Sequence, residues 1–89
     1  MSNKNAVHEI KRGLIKARIH RKKTKDGTHF SVSIVRMYRN GDQWKESIRY
    51  GRDDLPVIRL VLDQAFGWIY VQQENENTGN QEGATNSYD

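Results

Sequence analysis

The fold is decided by the stretch from residue 14 to residue 38, LIKARIHRKKTKDGTHFSVSIVRMY. Apolar and polar side chains alternate along residues 14–22 and again along residues 30–38, which is the period of a half-buried β-strand. Asp26-Gly27 lies between the two runs, and an Asp-Gly pair in that position is a strong hairpin signal. The stretch therefore predicts an antiparallel β-hairpin with one apolar face.

A third strand and a helix follow the hairpin. Residues 44–50 alternate again after the turn signal Asn40-Gly41-Asp42. From Asp53, a suitable helix cap, the apolar period lengthens to that of a helix, which we expect to end near Gln72. The order predicts an α+β fold, in which a short antiparallel β-sheet of three to four strands is followed by one C-terminal helix that joins two subunits.

The two ends of the chain differ from this middle part. Residues 1–12 are predicted to be a flexible basic segment, and residues 13–73 to be the sheet-plus-helix domain. Residues 74–89 are polar and acidic with few hydrophobic side chains, so we expect a disordered acidic tail. A domain this small often needs a disulfide, a metal or a second subunit for stability. Since the chain has no cysteine, we expect a second subunit to provide this stability.

Charge is spread unevenly along the chain. The whole chain has a net charge of +4, but residues 1–73 hold fifteen basic and only seven acidic side chains. This excess indicates an anionic partner, with nucleic acid favoured over a membrane surface. A small basic domain without such a partner is the alternative.

The hairpin turn determines which side chains share a face of the sheet. If residues 26 and 27 form a two-residue turn, Ile19 pairs with Ile34 and Ala17 pairs with Arg36. One face is then apolar, and we expect it to lie under the helix. The hairpin residues on it are Ile15, Ala17, Ile19, Phe30, Val32, Ile34 and Tyr38.

The third strand can join in two registers, because a one-residue slip moves every side chain to the other face. A two-residue turn would place two cations, Lys45 and Arg49, beneath the helix. A three-residue turn at residues 40–42 instead buries Trp44, Ile48 and Tyr50. Burying unpaired cations costs far more than burying apolar rings, so we expect the three-residue turn. This register also pairs Glu46 with Arg36 across the strands.

In that register the opposite face of the sheet is basic and free of carboxylates. Like charges on neighbouring strands repel, so the missing acids indicate that a polyanion covers this face. Serine hydroxyls between the cations can donate hydrogen bonds to phosphate oxygens. A face that is merely solvated is the alternative. The candidate nucleic-acid-binding residues on it are Lys16, Arg18, His20, Lys22, Ser31, Ser33, Arg39, Lys45 and Arg49.

The helix is apolar over more than one side. One stripe, which we expect to face the sheet, consists of Leu55, Ile58, Leu62, Ala65, Phe66 and Ile69. A second apolar side indicates burial against another surface, and Gly67 permits close approach. We expect a second subunit there, with the N-terminal segment or a loop as the alternative cover. The candidate dimer residues are Val57, Leu60, Val61, Trp68 and Val71.

Residues 34–45, IVRMYRNGDQWK, and Gly51-Arg52 before the helix resemble the single-stranded-DNA-binding transcriptional coactivator family known as positive cofactor four. The resemblance covers about residues 14–70. It implies a homodimer joined through the helices, with sheets that form basic channels for single strands or unpaired duplex. It implies phosphate contacts from the basic strand residues, to which it adds Arg52. The family also stacks bases on exposed aromatic side chains, whereas the expected register buries Trp44 and Tyr50.

No motif in the sequence indicates catalysis. The histidines are His8, His20 and His29, no cysteine is present, and neither a nucleophile motif nor a phosphate-binding glycine loop occurs. We expect no catalytic residue, no metal and no cofactor. No apolar run approaches the length of a membrane span, so we expect a cytoplasmic protein without a membrane partner.

The leading hypothesis is a sequence-tolerant single-stranded DNA-binding protein of replication, recombination or transcription, with RNA as an open alternative ligand. Two rivals remain: a duplex-DNA-binding regulator that inserts a β-ribbon into a groove, and a protein-interaction module that docks an acidic partner. For the acidic tail, recruitment of a protein partner and simple solubilisation are equally favoured.

Overall fold

The computed structural model describes residues 6–78, and the expectations for residues 1–5 and 79–89 lie outside that range. Four antiparallel strands form one sheet in chain order: β1 Ala6–Arg12, β2 Ile15–Thr24, β3 Gly27–Asn40 and β4 Gln43–Ser47. A short 3-10 turn, Arg52–Asp54, leads into a single helix, α1 Leu55–Thr78. The expected α+β arrangement, an antiparallel sheet followed by one C-terminal helix, is confirmed.

Strand β1 lies in the segment for which the sequence predicts flexibility. It pairs with β2 from Ala6 opposite His20 to Arg12 opposite Ile15. The two strands are joined by a two-residue turn in which Gly13 has a φ of 61°, a conformation that glycine adopts at little cost. The expectation of a flexible segment is therefore wrong for residues 6–12.

The β2–β3 hairpin turns one residue earlier than expected. Thr24 pairs with Gly27, so Lys25-Asp26 forms the turn, and the Thr24 hydroxyl accepts a hydrogen bond of 3.2 Å from the Asp26 amide. The pairing consequently shifts by two residues, and Ala17 lies opposite Ile34. Because a shift of two preserves the side-chain alternation, each side chain of this hairpin keeps its predicted face.

The β3–β4 turn contradicts the expected register. Asn40 pairs with Gln43 across a two-residue turn, and Gly41 at its first position has a φ of 67°, as such turns require. Trp44 therefore lies on the face away from the helix, and Lys45 lies on the helix side. The expected cost of burying Lys45 does not arise, because α1 packs mainly on β1 and β2 and Lys45 stays exposed.

The core lies between α1 and the first two strands. Its buried members are Ile10, Ile15, Ala17, Ile19, Val61 and Ala65. Beside them, the ring of Trp68 stacks on His8 with centroids 4.5 Å apart and meets the edge of Phe30 at 6.2 Å. Tyr50 also packs here, as expected, and donates a hydrogen bond to the carbonyl of Ile34.

An ion pair anchors the start of the helix to the sheet. The Nε atom of Arg36 lies 3.0 Å from Oδ2 of Asp54, which also accepts a 2.7 Å hydrogen bond from the amide of Gly51. The expected register paired Arg36 with Glu46, but in the structure Arg36 pairs with Asp54. Asp54 links the end of the sheet to the 3-10 turn.

The side of α1 that packs against the sheet differs from the side that the sequence predicts. Of the residues expected at a subunit interface, Val61 is part of the core and Val57 and Trp68 pack against it, whereas Leu60 and Val71 are exposed on another side of the helix. Leu62 and Phe66, expected against the sheet, are exposed at 47% and 69%, and Leu55 is also exposed. The reason is β1, because the helix lies over β1 and β2 instead of over a sheet centred on β3.

The helix also continues beyond the expected end near residue 72. It reaches Thr78, and Nη2 of Arg21 lies 3.1 Å from Oε2 of Glu76. The expectation of a disordered tail is therefore wrong for residues 74–78.

The core predicts a contrast between two isoleucines. Ile19 is fully buried, so Ile19→Ala should lower the free energy of unfolding by about 2–5 kcal/mol, and Ile19→Val by about 0.5–1.5 kcal/mol. Ile48 is 77% exposed, so Ile48→Ala should change it by less than about 0.5 kcal/mol. Urea denaturation followed by circular dichroism measures both. A large loss in Ile48→Ala would instead support the three-residue turn.

Candidate nucleic-acid interface

We call the sheet surface turned away from α1 the outer face. It consists of Glu9 and Lys11 of β1, the even-numbered residues 16–22 of β2, the odd-numbered residues 29–39 of β3, and Trp44 and Glu46 of β4. Of the predicted nucleic-acid-binding residues it holds Lys16, Arg18, His20, Lys22, Ser31, Ser33 and Arg39. Three others lie elsewhere: Lys45 on the helix side, Arg49 in the connection after β4, and Arg52 in the 3-10 turn beside Asp53.

The middle of the outer face is an ion-paired cluster. Arg18 is only 7% exposed, and its guanidinium donates from Nη1 and Nη2 to the two carboxylate oxygens of Glu46, the first at 3.0 Å. Its Nε donates to Oε2 of Glu9 at 3.3 Å, and Nζ of Lys16 lies 3.9 Å from the other oxygen of Glu9. We call Glu9, Arg18 and Glu46 the central cluster.

The central cluster contradicts the expectation of a face without carboxylates. Glu46 was placed on the helix side by the three-residue turn, and Glu9 belongs to the strand that the sequence did not reveal. The sequence does contain a signal for the correct register, since Asn40-Gly41-Asp42 has glycine where a two-residue turn needs a positive φ.

Within this cluster, Arg18 and Glu46 hold each other in their ionised forms. The hydrogen bond from Arg18 lowers the pKa of Glu46, and this effect outweighs burial, which acts in the opposite direction. The same hydrogen bond raises the pKa of Arg18. Arg18 is thus charged, but each of its three guanidinium nitrogens already donates to a carboxylate, so the central cluster offers little attraction to a phosphate group.

Three cations without ion-pair partners lie close together at the hairpin end of the sheet. Lys22, Lys23 and Lys25 are exposed, and none of them has an ion-pair partner among residues 6–78. His29 lies opposite Lys22 on the outer face. We call the three lysines the hairpin tip.

An exposed indole lies at the other end of the outer face. Trp44 is 54% exposed, and the guanidinium carbon of Arg39 lies 5.3 Å from the centre of its ring. Beside the ring is a recess of about 420 Å³ lined by Lys11, Leu14, Met37 and Trp44. We call Trp44, Arg39 and this recess the Trp44 site. Arg39 lies on the face that the sequence predicts for it, whereas Trp44 was expected in the core.

The Trp44 site can bind a flat ring that carries negative charge. An exposed indole offers a face for stacking, and Arg39 and Lys11 supply charges for a phosphate group next to it. Cations beside a ring also attract its π-system, which keeps Arg39 over the indole.

The described residues contain no sign of a metal site or a membrane span. No group of three or more histidine and acidic side chains in residues 6–78 could hold a metal ion, and His8 is occupied by its stack on Trp68. Within the same residues, no helix combines the length and the hydrophobicity needed to cross a membrane.

Comparison of the chain with protein-family models, with curated proteins and with solved structures finds no match. Any proposal for the function must therefore rest on the geometry of the outer face.

The central cluster predicts a pH-dependent contribution to stability. Glu46→Gln should lower the free energy of unfolding near neutral pH by about 1 kcal/mol, a modest loss because the Glu46 side chain is 37% exposed and partly screened. Since the folded-state pKa of Glu46 is lowered, this contribution exists above the ordinary glutamate pKa of about 4.3 and is lost as the pH falls through the lowered value.

Urea denaturation of both proteins across this pH range measures the effect. Glu9→Gln is the control and should cost less, because Glu9 accepts only one hydrogen bond from Arg18. Equal stability of the wild type and Glu46→Gln at neutral pH would contradict the assigned pair.

Proposed function

We propose that this chain is a non-catalytic protein that binds single-stranded nucleic acid without strong sequence preference. Single-stranded DNA is the expected ligand, and replication, recombination or transcription in the cytoplasm is the expected setting. The observation that carries the proposal is the Trp44 site, where an exposed indole lies beside two cations. Unpaired nucleotides present a flat base and a phosphate group together, whereas a duplex keeps its bases stacked inside.

Sequence tolerance follows from the kind of contact. Every base has a flat π-face, so stacking on Trp44 does not distinguish one base from another. The surrounding groups Arg39 and Lys11 suit phosphate oxygens, which are the same in every nucleotide. Such contacts position a strand without reading its sequence.

The proposal revises the set of binding residues. It depends on Trp44, Arg39 and Lys11, with Lys16 as a further cation on the same face. It assigns no phosphate contact to Arg18, whose donors are taken by Glu9 and Glu46. Lys45 is left out because it lies on the other face.

The proposal includes a homodimer joined through α1. One side of the helix carries a row of exposed apolar side chains, at 47% for Leu62, 69% for Phe66 and 51% for Tyr70. The rings of Phe66 and Tyr70 stack with centroids 6.0 Å apart, which makes a continuous apolar surface. Exposed apolar rows of this kind are typical of subunit contacts.

Replacement of Trp44 tests the binding proposal. Trp44→Ala should weaken binding of a labelled single-stranded oligonucleotide by about tenfold or more, since stacking contributes about 1–3 kcal/mol per base and about 1.4 kcal/mol corresponds to tenfold. Trp44→Phe should weaken binding less than Trp44→Ala does, because phenylalanine still offers an aromatic ring for stacking. Fluorescence anisotropy measures the affinities.

Gln43→Ala is the matched control, because Gln43 is an exposed neighbour on the helix side of the same strand. We expect it to bind like the wild type. A duplex of the same sequence should bind more weakly than the single strand. Tighter binding of the duplex, unchanged by Trp44→Ala, would favour the β-ribbon regulator. No binding to either at low salt would favour a protein partner.

The dimer is tested by sedimentation. The wild type should sediment as a dimer, and Phe66→Glu should sediment as a monomer with an unchanged circular-dichroism spectrum, because an unpaired carboxylate at an apolar contact is costly. Leu60→Glu, on another exposed part of the helix, is the control and should stay dimeric. A monomeric wild type at micromolar concentration would contradict a dimer.

A further inference from the structure

The outer face carries two basic regions that the central cluster separates. The side chains of Glu9 and Glu46 are 39% and 37% exposed. Their carboxylates lie between the Trp44 site and the hairpin tip. Exposed carboxylates repel phosphate, so a strand is not held evenly along this face. The hairpin tip must therefore be explained apart from the Trp44 site.

The hairpin tip displays its charges on an ordered turn. The Thr24 hydroxyl donates a 3.1 Å hydrogen bond to the carbonyl of Gly27 and accepts one from the amide of Asp26, which closes the turn. Lys25 lies in this turn, and Lys22 and Lys23 come just before it on opposite faces of β2; all three are exposed and have no ion-pair partner in the described part of the chain. Asp26 is the only acidic residue between residues 20 and 30.

We infer that the hairpin tip is a second phosphate-binding surface, which holds the same nucleic-acid strand where it continues beyond the Trp44 site. The inference rests on the proposed function. The ligand is thus a single strand long enough to contact both regions while it passes over the central cluster. The exposed hydroxyl of Ser31 lies between the tip and the central cluster, and that of Ser33 lies opposite Arg18 in the cluster; both offer donors for phosphate oxygens along the path.

The sheet sets the minimum length of that strand. Lys22 lies opposite His29 and Trp44 lies opposite Arg39, so the two regions are ten residues of β3 apart, about 33 Å at about 3.3 Å per residue. A strand with about 3.4 Å between stacked nucleotides needs about ten of them to cover this distance, and a stretched strand needs fewer. An oligonucleotide of about four nucleotides, near the lower limit of known single-strand sites, cannot reach both regions.

The test compares a short and a long oligothymidine, about four nucleotides and about twenty nucleotides, by fluorescence anisotropy over a range of salt concentrations. The tip variant is Lys22→Gln with Lys25→Gln. The control variant is Lys45→Gln with Arg49→Gln, which removes the same charge from exposed positions off the outer face, one on the helix side of β4 and one in the connection after it. All four positions are exposed, so both variants should keep the thermal stability of the wild type.

For the long oligonucleotide, the tip variant should bind more weakly than the control variant. The plot of log affinity against log salt concentration has a negative slope. For the tip variant this slope should be less steep than for the wild type by about two, one for each lost phosphate contact. For the short oligonucleotide, the tip variant and the control variant should bind equally well.

Two results would overturn the inference. One is a tip variant that binds the long oligonucleotide as tightly as the control variant does, and the other is an equal loss for the short and long oligonucleotides. Trp44→Ala separates this failure from a failure of the proposed function. If Trp44→Ala weakens binding of the short oligonucleotide, the Trp44 site stands even where the tip has no role; if it does not, the proposed function itself is wrong.

Discussion

The packing of α1 on the first two strands is the constraint on which the rest of the structure depends. Val61 and Ala65 press against Ile15, Ala17 and Ile19, and the helix axis is thereby held over β1 and β2. Strand β4 is left uncovered at the far edge of the sheet. Because α1 packs mainly on β1 and β2 within the described residues, Lys45 remains in solvent on the helix side, and the indole of Trp44 occupies the other side.

The same arrangement sets the electrostatics of the outer face. With β4 in this register, Glu46 reaches Arg18 across the intervening strand β3, and Glu9 approaches from β1. A guanidinium that is nearly buried needs such partners, since an unpaired charge at that depth would be costly. Arg18, the most central cation of the sheet, therefore stabilises the fold through its ion pairs, and the phosphate contacts that we propose lie at the two ends of the outer face.

Part of this could be predicted from the sequence. Alternation along β2 and β3 correctly assigns faces such as that of Ile19, and the misplaced turn did no harm because it changed the pairing by an even number of residues. β1 escaped detection because its inward side carries a histidine, His8, while Val7 points outward, so apolar and polar residues do not alternate in its sequence. The side of the helix that faces the sheet was also undetermined, since α1 is apolar nearly all round and only the position of β1 decides between Val61 and Leu62.

The Arg21–Glu76 ion pair has a consequence for local unfolding. Helix residues up to Ile69 pack against the core, whereas this pair, with side chains 39% and 34% exposed, fastens the turns that follow. A pair so open to solvent stabilises by about 1 kcal/mol or less. The end of α1 can therefore open without disturbing the sheet, at a far smaller free energy than global unfolding requires, so amide hydrogens there exchange sooner than those of the first four turns. The helix behaves as two segments of different stability within one continuous rod.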